Sequence, residues 1–195
     1  VLIGHERHDE IVGTSGEAPE RIRIVADVAD ARAVDIPDPD KVIVLTQTTL
    51  SVDDTREVID VLKERFPRMI TPAKEDICYA TQNRQDAVKQ LAGEVDLILV
   101  IGSRNSENSN QLCKVARAHG TMAYLIDDYR GIDPSWLVGV QCVGITSGAS
   151  APERLVQETA DFFKQQGAEI TFLGFAEENI HFALPPELDS ENLPR

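Results

Sequence analysis

Three apolar, strand-like stretches of this chain each run directly into a group of hydroxyl and amide side chains that opens a helical pattern. They are VIVLTQTTLS at 42–51, LILVIGSRNSENSN at 97–110 and CVGITSGAS at 142–150. A short continuous apolar run suits a strand covered on both faces, and such strands belong to parallel sheets. In a βαβ unit the carboxyl end of the strand and the amino end of the next helix face the same side. Polar groups from separate crossovers can therefore converge on one anionic ligand. The pattern constrains the fold to α/β and points to a small-molecule site.

Strand-like and helix-like segments alternate along the whole chain. The runs at 1–3, 22–25, 42–45, 97–101, 122–126, 142–145 and 170–175 read as strands. Between them Val58, Ile59, Leu62 and Phe66 follow a helical period, as do Leu155, Val156, Ala160 and Phe163. Alternation of this kind gives a layered α/β architecture with mainly parallel sheets. Helix starts are marked by Ser51 with Asp54, and by Ser150 with Glu153, where Pro152 takes the first helical position. The stretch PRMITPAKE at 67–75 holds two prolines and no clear period, which makes it the junction between two units. The expected organisation is one α/β unit over 1–74, another over 75–169, and a last strand with a polar, proline-bearing tail over 170–195.

The composition narrows the function classes. With 19 Lys and Arg against 33 Asp and Glu, the formal charge is −14. Nucleic-acid binding relies on clustered cations, so the chain is expected not to bind it. No apolar run approaches the roughly 20 residues needed to cross a bilayer, and the expected location is cytoplasmic with no membrane partner. The three cysteines, Cys78, Cys113 and Cys142, show no C-x-x-C spacing and suit a reducing compartment. The chain opens on the apolar Val1-Leu2-Ile3-Gly4 without an initiator Met, and is expected to be a fragment.

Several residues could carry chemistry. Cys78 sits just before a helical pattern read at 85–92, where a thiolate is favoured electrostatically and could ligate a metal. From spacing alone the favoured reading of a lone cysteine is a small buried hydrophobe, and Cys113 and Cys142 are read that way. His8 and Glu10 follow the first strand. They offer a phosphate donor and a proton-donating carboxyl, or simply a solvated charged loop. His5 is the alternative in that loop, and His119 reads as a helix carboxyl-terminal residue. Thr46, Thr48 and Thr49 with Gln47 form turns or bind ligand. The run at 103–110, containing Ser106, Glu107 and Asn108, holds more polar side chains than one helix cap needs. Ser150 could cap a helix and meet a ligand at once. No Walker or G-x-G-x-x-G pattern is present, which disfavours a nicotinamide oxidoreductase.

A diphosphate-sized ligand fits these groups energetically. Each helix amino end contributes roughly 0.3–1 kcal/mol toward an anion, and each hydrogen bond to a charged group about 1.5–3 kcal/mol. A few of each reach the roughly 8 kcal/mol of micromolar binding.

Five segments together closely resemble the 4-hydroxy-3-methylbut-2-enyl diphosphate reductase (LytB/IspH) family. These are His8-Asp-Glu10 with Gly13-Thr14, the run 46–54 (TQTTLSVDD), the run 76–81 (DICYAT) with Asn83-Arg84-Gln85, Asn105-Ser106 with Asn108-Ser-Asn110, and the run 148–152 (GASAP). The resemblance implies two of three pseudo-threefold-related α/β units, 1–74 matching the second and 75–169 the third. It also implies a reductive dehydroxylation that yields isopentenyl and dimethylallyl diphosphate. A 4Fe-4S cluster and a ferredoxin or flavodoxin type electron donor belong to that activity. Carried onto this sequence, Cys78 resembles a cluster ligand, and Glu10 the proton source. Thr48 resembles the contact to the substrate hydroxyl, with Thr49 beside it. His8, Ser106, Asn108 and Ser150 resemble diphosphate donors. The family's amino-terminal unit, with the other cluster cysteines, has no counterpart here, so the chain alone is expected to be inactive. Glu107 stands where the family commonly has serine. Its carboxylate is expected to point away from the ligand, leaving only its backbone N–H to face it. The competing reading is a non-catalytic diphosphate-binding module without iron.

Overall fold

The computed structural model describes residues 1–72 and 76–174. In chain order the strands are β1 (Leu2–Ile3), β2 (Ile24–Val25), β3 (Leu45–Thr46), β4 (Leu97–Ile101), β5 (Met122–Ile126) and β6 (Val143–Ser147). The helices are α1 (Asp9–Gly16), α2 (Val28–Ala33), α3 (Val52–Arg65), α4 (Tyr79–Ala92), α5 (Glu107–Ala118) and α6 (Glu153–Gln165). Among the described residues all strand pairings are parallel, in two three-stranded sheets ordered β2-β1-β3 and β5-β4-β6. The fold is α/β, as the alternation predicts.

The run LILVI becomes β4, buried along its full length between β5 and β6. Strand alternation sends Ile98 and Val100 to one face, against Val88 and Leu91 of α4 and Leu112 and Ala116 of α5. Leu97, Leu99 and Ile101 go to the other face, against Leu155, Val156 and Phe163 on the side of α6. Each such aliphatic side chain contributes about 1.5–3 kcal/mol by leaving water. Two 3-10 turns, Tyr129–Gly131 and Pro134–Leu137, continue that face, and Trp136 stacks on Tyr124 of β5 with ring centroids 3.9 Å apart. In the first unit Ile3, Val25 and Val44 pack beneath Val58 and Leu62 of α3.

Polar contacts join the two units. Cys78 N–H donates to Thr48 O at 3.1 Å, Thr46 N–H to Asp76 Oδ2 at 3.0 Å, and Lys89 Nζ lies 2.7 Å from Asp53 Oδ2. The Lys89 bond also holds the Asp53 carboxyl below its usual range. The seam thus lies directly behind the threonine-rich end of β3.

Some sequence expectations shift. α4 begins at Tyr79 rather than 85, because its first buried positions are the polar Thr81 and Gln85, which hide the helical period. The last strand, read at 170–175, is not formed over 170–174, where Phe172 is 83% exposed. Residues 175–195, with Phe175, His181 and the expected tail, lie outside the described residues. Cys142 is exposed rather than in the core, since it precedes β6 and its N–H donates to Asp96 Oδ2 at 2.9 Å. That bond and the one from Gln141 N–H hold the Asp96 carboxyl below its usual range. Ser150 does not cap α6. Pro152 is the N-cap residue and the helix has no side-chain cap. No helix among the described residues is long and apolar enough to cross a membrane.

The cysteines divide by environment. Cys113 is 4% exposed and burial pushes its thiol up to about 11, whereas Cys78 and Cys142 are exposed. Since the thiolate is the reactive form, an aromatic disulfide reagent at pH 8 should titrate two thiols rapidly and the third only in denaturant. Three fast thiols in the native chain would contradict the packing of α5.

Candidate functional site

Both sheets place a strand-order reversal where the polar sequences lie. β1 is flanked by β2 and β3, and β4 by β5 and β6. In each sheet the first crossover runs from the central strand to one edge and the second passes back to the other edge, which places a crevice at the carboxyl ends of β1 and β3 and another at those of β4 and β6.

At the first crevice, His8 is the N-cap of α1, and its Nδ1 accepts from Glu10 N–H at 3.2 Å. That bond assigns the lone pair to Nδ1 and leaves Nε2 as the N–H donor. The half-buried Glu10 carboxylate reaches across to β3. It accepts from Thr48 N–H at 3.1 and 3.3 Å, and from the Thr48 hydroxyl at 3.1 Å. Thr48 O in turn accepts from Cys78 N–H. His8, Glu10, Thr48 and Cys78 are therefore one bonded run drawn from three separate segments. Cys78 is the N-cap residue of α4, and its thiol is exposed.

The fully buried Gln47 aligns the same region. Its Nε2 donates to Thr49 Oγ1 at 3.0 Å, and its Oε1 accepts from His5 N–H at 3.1 Å. Because Thr49 Oγ1 accepts from Gln47, its own proton is free to donate elsewhere. Gly4 permits this contact, since a Cβ there would crowd both Ile11 and Gln47.

At the second crevice, Ser106 caps α5 by accepting from Ser109 N–H at 3.3 Å, and Ser109 Oγ donates to Ser106 Oγ at 3.0 Å. A Cβ at either Gly102 or Gly148 would collide with Ser109 Oγ. The two glycines thus let the first turn of α5 settle against the ends of β4 and β6. Asn108, 7% exposed, has neither Nδ2 nor Oδ1 hydrogen-bonded among the described residues. A buried amide without partners costs roughly 1–3 kcal/mol, a cost that a hydrogen-bonding ligand would relieve. Glu107 Oε1 lies 3.6 Å from Lys114 Nζ, on the next turns of the same helix.

The structure thus gathers His8, Glu10, Thr48 and Cys78 at one crevice, with Thr49 adjacent, and Ser106, Glu107 and Asn108 at the other. Ser150 is exposed, two residues beyond Gly148. A cavity of about 630 Å³ is lined by His5, Asp27, Ser51, Gln111 and Lys114 among others, and of the candidates the sequence offers it includes only His5, the alternative to His8. Sequence reasoning assigned no positioning role to Gln47 or Gln85. Their signal is a polar residue at a position where the period demands an apolar one. Among the described residues no three His, Cys, Asp or Glu side chains form a group able to hold a metal ion.

Residues 1–164 match the family described as LytB protein. The 4-hydroxy-3-methylbut-2-enyl diphosphate reductase of Streptomyces avermitilis is 54% identical over 190 residues, covering 96% of this chain and 56% of that protein. Its namesake from Azoarcus sp. is 49% identical over 189 residues, covering 96% of this chain and 61% of the relative. The solved structure of the E-1-hydroxy-2-methyl-but-2-enyl-4-diphosphate reductase from Plasmodium falciparum is 34% identical, with a TM-score of 0.84 over 95% of this chain and 59% of that one. The chain spans a little over half the length of these relatives. With the match running through both α/β units and every candidate site residue, the chain belongs to the LytB protein family.

Proposed function

We propose that this chain supplies the diphosphate-binding and proton-donating part of a 4-hydroxy-3-methylbut-2-enyl diphosphate reductase. The observation that carries the reading is Asn108, a buried amide without a partner among the described residues, at the start of a 12-residue helix. A diphosphate oxygen would accept from its Nδ2 and from the free backbone N–H groups of that first turn. Ser106, Thr49, His8 Nε2 and Ser150 would add neutral or imidazole donors. Their use suits a chain of net charge −14. The Glu107 carboxylate, held toward Lys114, would leave only its N–H for the ligand.

The reaction consumes two electrons and two protons, releases one water, and leaves a monounsaturated five-carbon diphosphate. Glu10 would deliver the proton to the departing hydroxyl, and Thr48, bonded to Glu10, would orient that hydroxyl. Cys78 fits as one thiolate ligand of a 4Fe-4S cluster because it is exposed at a helix amino end, with the other ligands drawn from outside this chain. When bound, that cluster supplies the electrons, received from a ferredoxin or flavodoxin type donor.

Two measurements test the reading. Titrating the chain with inorganic pyrophosphate should shift the amide resonances of Ser106, Glu107 and Asn108. Asn108→Leu should weaken binding about tenfold or more. In a complete reductase containing this segment, anaerobic reconstitution should load iron and sulfide, and Cys78→Ser should lower that load. Pyrophosphate binding with no iron uptake would leave the non-catalytic binding module as the better reading. No pyrophosphate binding, or binding indifferent to Asn108→Leu, would remove Asn108 from the site.

A further inference from the structure

Gln85 is fully buried on α4 and makes two hydrogen bonds into the other unit. Its Nε2 donates to Leu50 O at 2.7 Å, and its Oε1 accepts from Val52 N–H at 3.0 Å. Leu50 and Val52 flank Ser51, the N-cap of α3, whose own side chain serves Asp54 N–H. Val52 N–H is one of the donors that a helix start leaves unpaired, and here the partner comes from another helix. Gln85 stands seven residues after Cys78, two turns along the same face of α4. Helix α4 is therefore pinned to the segment after β3 at two levels, by Cys78 N–H on Thr48 O and by the Gln85 amide.

From this two-level attachment we infer that Gln85 is a positioning residue that fixes the Cys78 thiol relative to Thr48 and Glu10. The inference rests on the reading that Cys78 holds iron and Thr48 meets the substrate. The bond at Cys78 alone would hold the helix only at its amino end, and the buried Gln85 amide adds a second point two turns on, ahead of the Lys89–Asp53 ion pair one turn further along. The amide is chemically specific for the role, because one end must donate to a carbonyl while the other accepts from an N–H. A carboxylate of the same shape would set an anionic oxygen against Leu50 O. A protonated carboxyl would restore both bonds.

The test needs neither iron nor substrate. Amide hydrogen exchange is measured on the chain, on Gln85→Leu and on Gln85→Glu, at pH 5 and pH 8, each against wild type at the same pH. The charged groups around the seam include Lys89 and Asp86 of α4, Asp53, Asp54 and Arg56 of α3, Asp76 before α4, and His119 after α5, whose field reaches Asp53. They are common to all three proteins, so the wild-type control at each pH removes their titration. Gln85→Leu should raise exchange at Val52 and Cys78 about tenfold or more at both pH values. Gln85→Glu should match wild type at pH 5, where a buried carboxyl stays neutral, and approach Gln85→Leu at pH 8.

Protection at Cys78 that is unchanged in both variants would overturn the inference. So would loss spread evenly over the chain with no pH dependence in Gln85→Glu, since that would make Gln85 an ordinary core residue. If pyrophosphate binding or iron loading fails while this pH-dependent pattern holds, the functional reading falls and the two-level attachment stands.

Discussion

Glu10→Gln, placed in a complete LytB-family reductase containing this segment, should lower turnover by about 100-fold or more while leaving substrate affinity within a few-fold. A positioned general acid is worth roughly 10²–10⁴ in rate. The substitution leaves the local geometry intact. The amide oxygen can still accept from Thr48 N–H, and the NH2 group can donate to Thr48 Oγ1 in place of the bond that the hydroxyl now makes to Oε2. What disappears is the ability to give up a proton. Steady-state turnover together with equilibrium binding of the substrate separates these effects. Turnover near the wild-type value would take Glu10 out of the proton-delivering role. Equal losses in affinity and turnover would make it a binding group.

Leu99→Ala should cost about 2–5 kcal/mol of stability, the range for truncating a large aliphatic side chain in a packed core. Leu99 is fully buried at the centre of β4, which is paired on both edges, and it packs on the side of α6. Neither neighbouring strand can slide to close the gap without breaking five registered pairs on its side. In a urea titration the midpoint should fall by about 1 M or more with little change in slope. Met122→Ala, at a position 55% exposed on β5, serves as the comparator and should change stability by less than about 0.5 kcal/mol. A loss below about 1 kcal/mol for Leu99→Ala would mean that the layer between β4 and α6 is loosely packed.

Sequence patterning located β4 and β5 at their observed bounds because LILVI and MAYLI are long apolar runs bounded by polar residues. It was weaker in the first unit, where two-residue strands carry little periodic signal. The start of α4 was missed for a physical reason. Its buried face opens with Thr81 and Gln85, whose burial is balanced by hydrogen bonds in the case of Gln85 and so need not be apolar. The candidate site was legible as separate polar groups and not as a geometry. Glu10 and Thr48 are 38 residues apart, and only the parallel register of β1 with β3 brings their loops together. The partnerless state of the Asn108 amide also has no sequence signature, because it depends on Gly102 and Gly148 admitting the helix start so closely. Ser150 shows the converse. A cap-like spacing to Glu153 predicted a helix start that Pro152 occupies instead.

The stack of Trp136 on Tyr124 gives the chain an optical asymmetry. Its one tryptophan and its three tyrosines, Tyr79, Tyr124 and Tyr129, all lie beyond the junction. Near-ultraviolet absorbance and intrinsic emission therefore watch the second unit and are blind to the first, whose aromatic content is phenylalanine alone. Melting curves recorded by indole emission and by backbone circular dichroism interrogate different parts of the molecule. Their coincidence would mean that the seam at Gln85, Cys78 and Lys89 makes the two units melt as one, and their separation would give the strength of that seam directly.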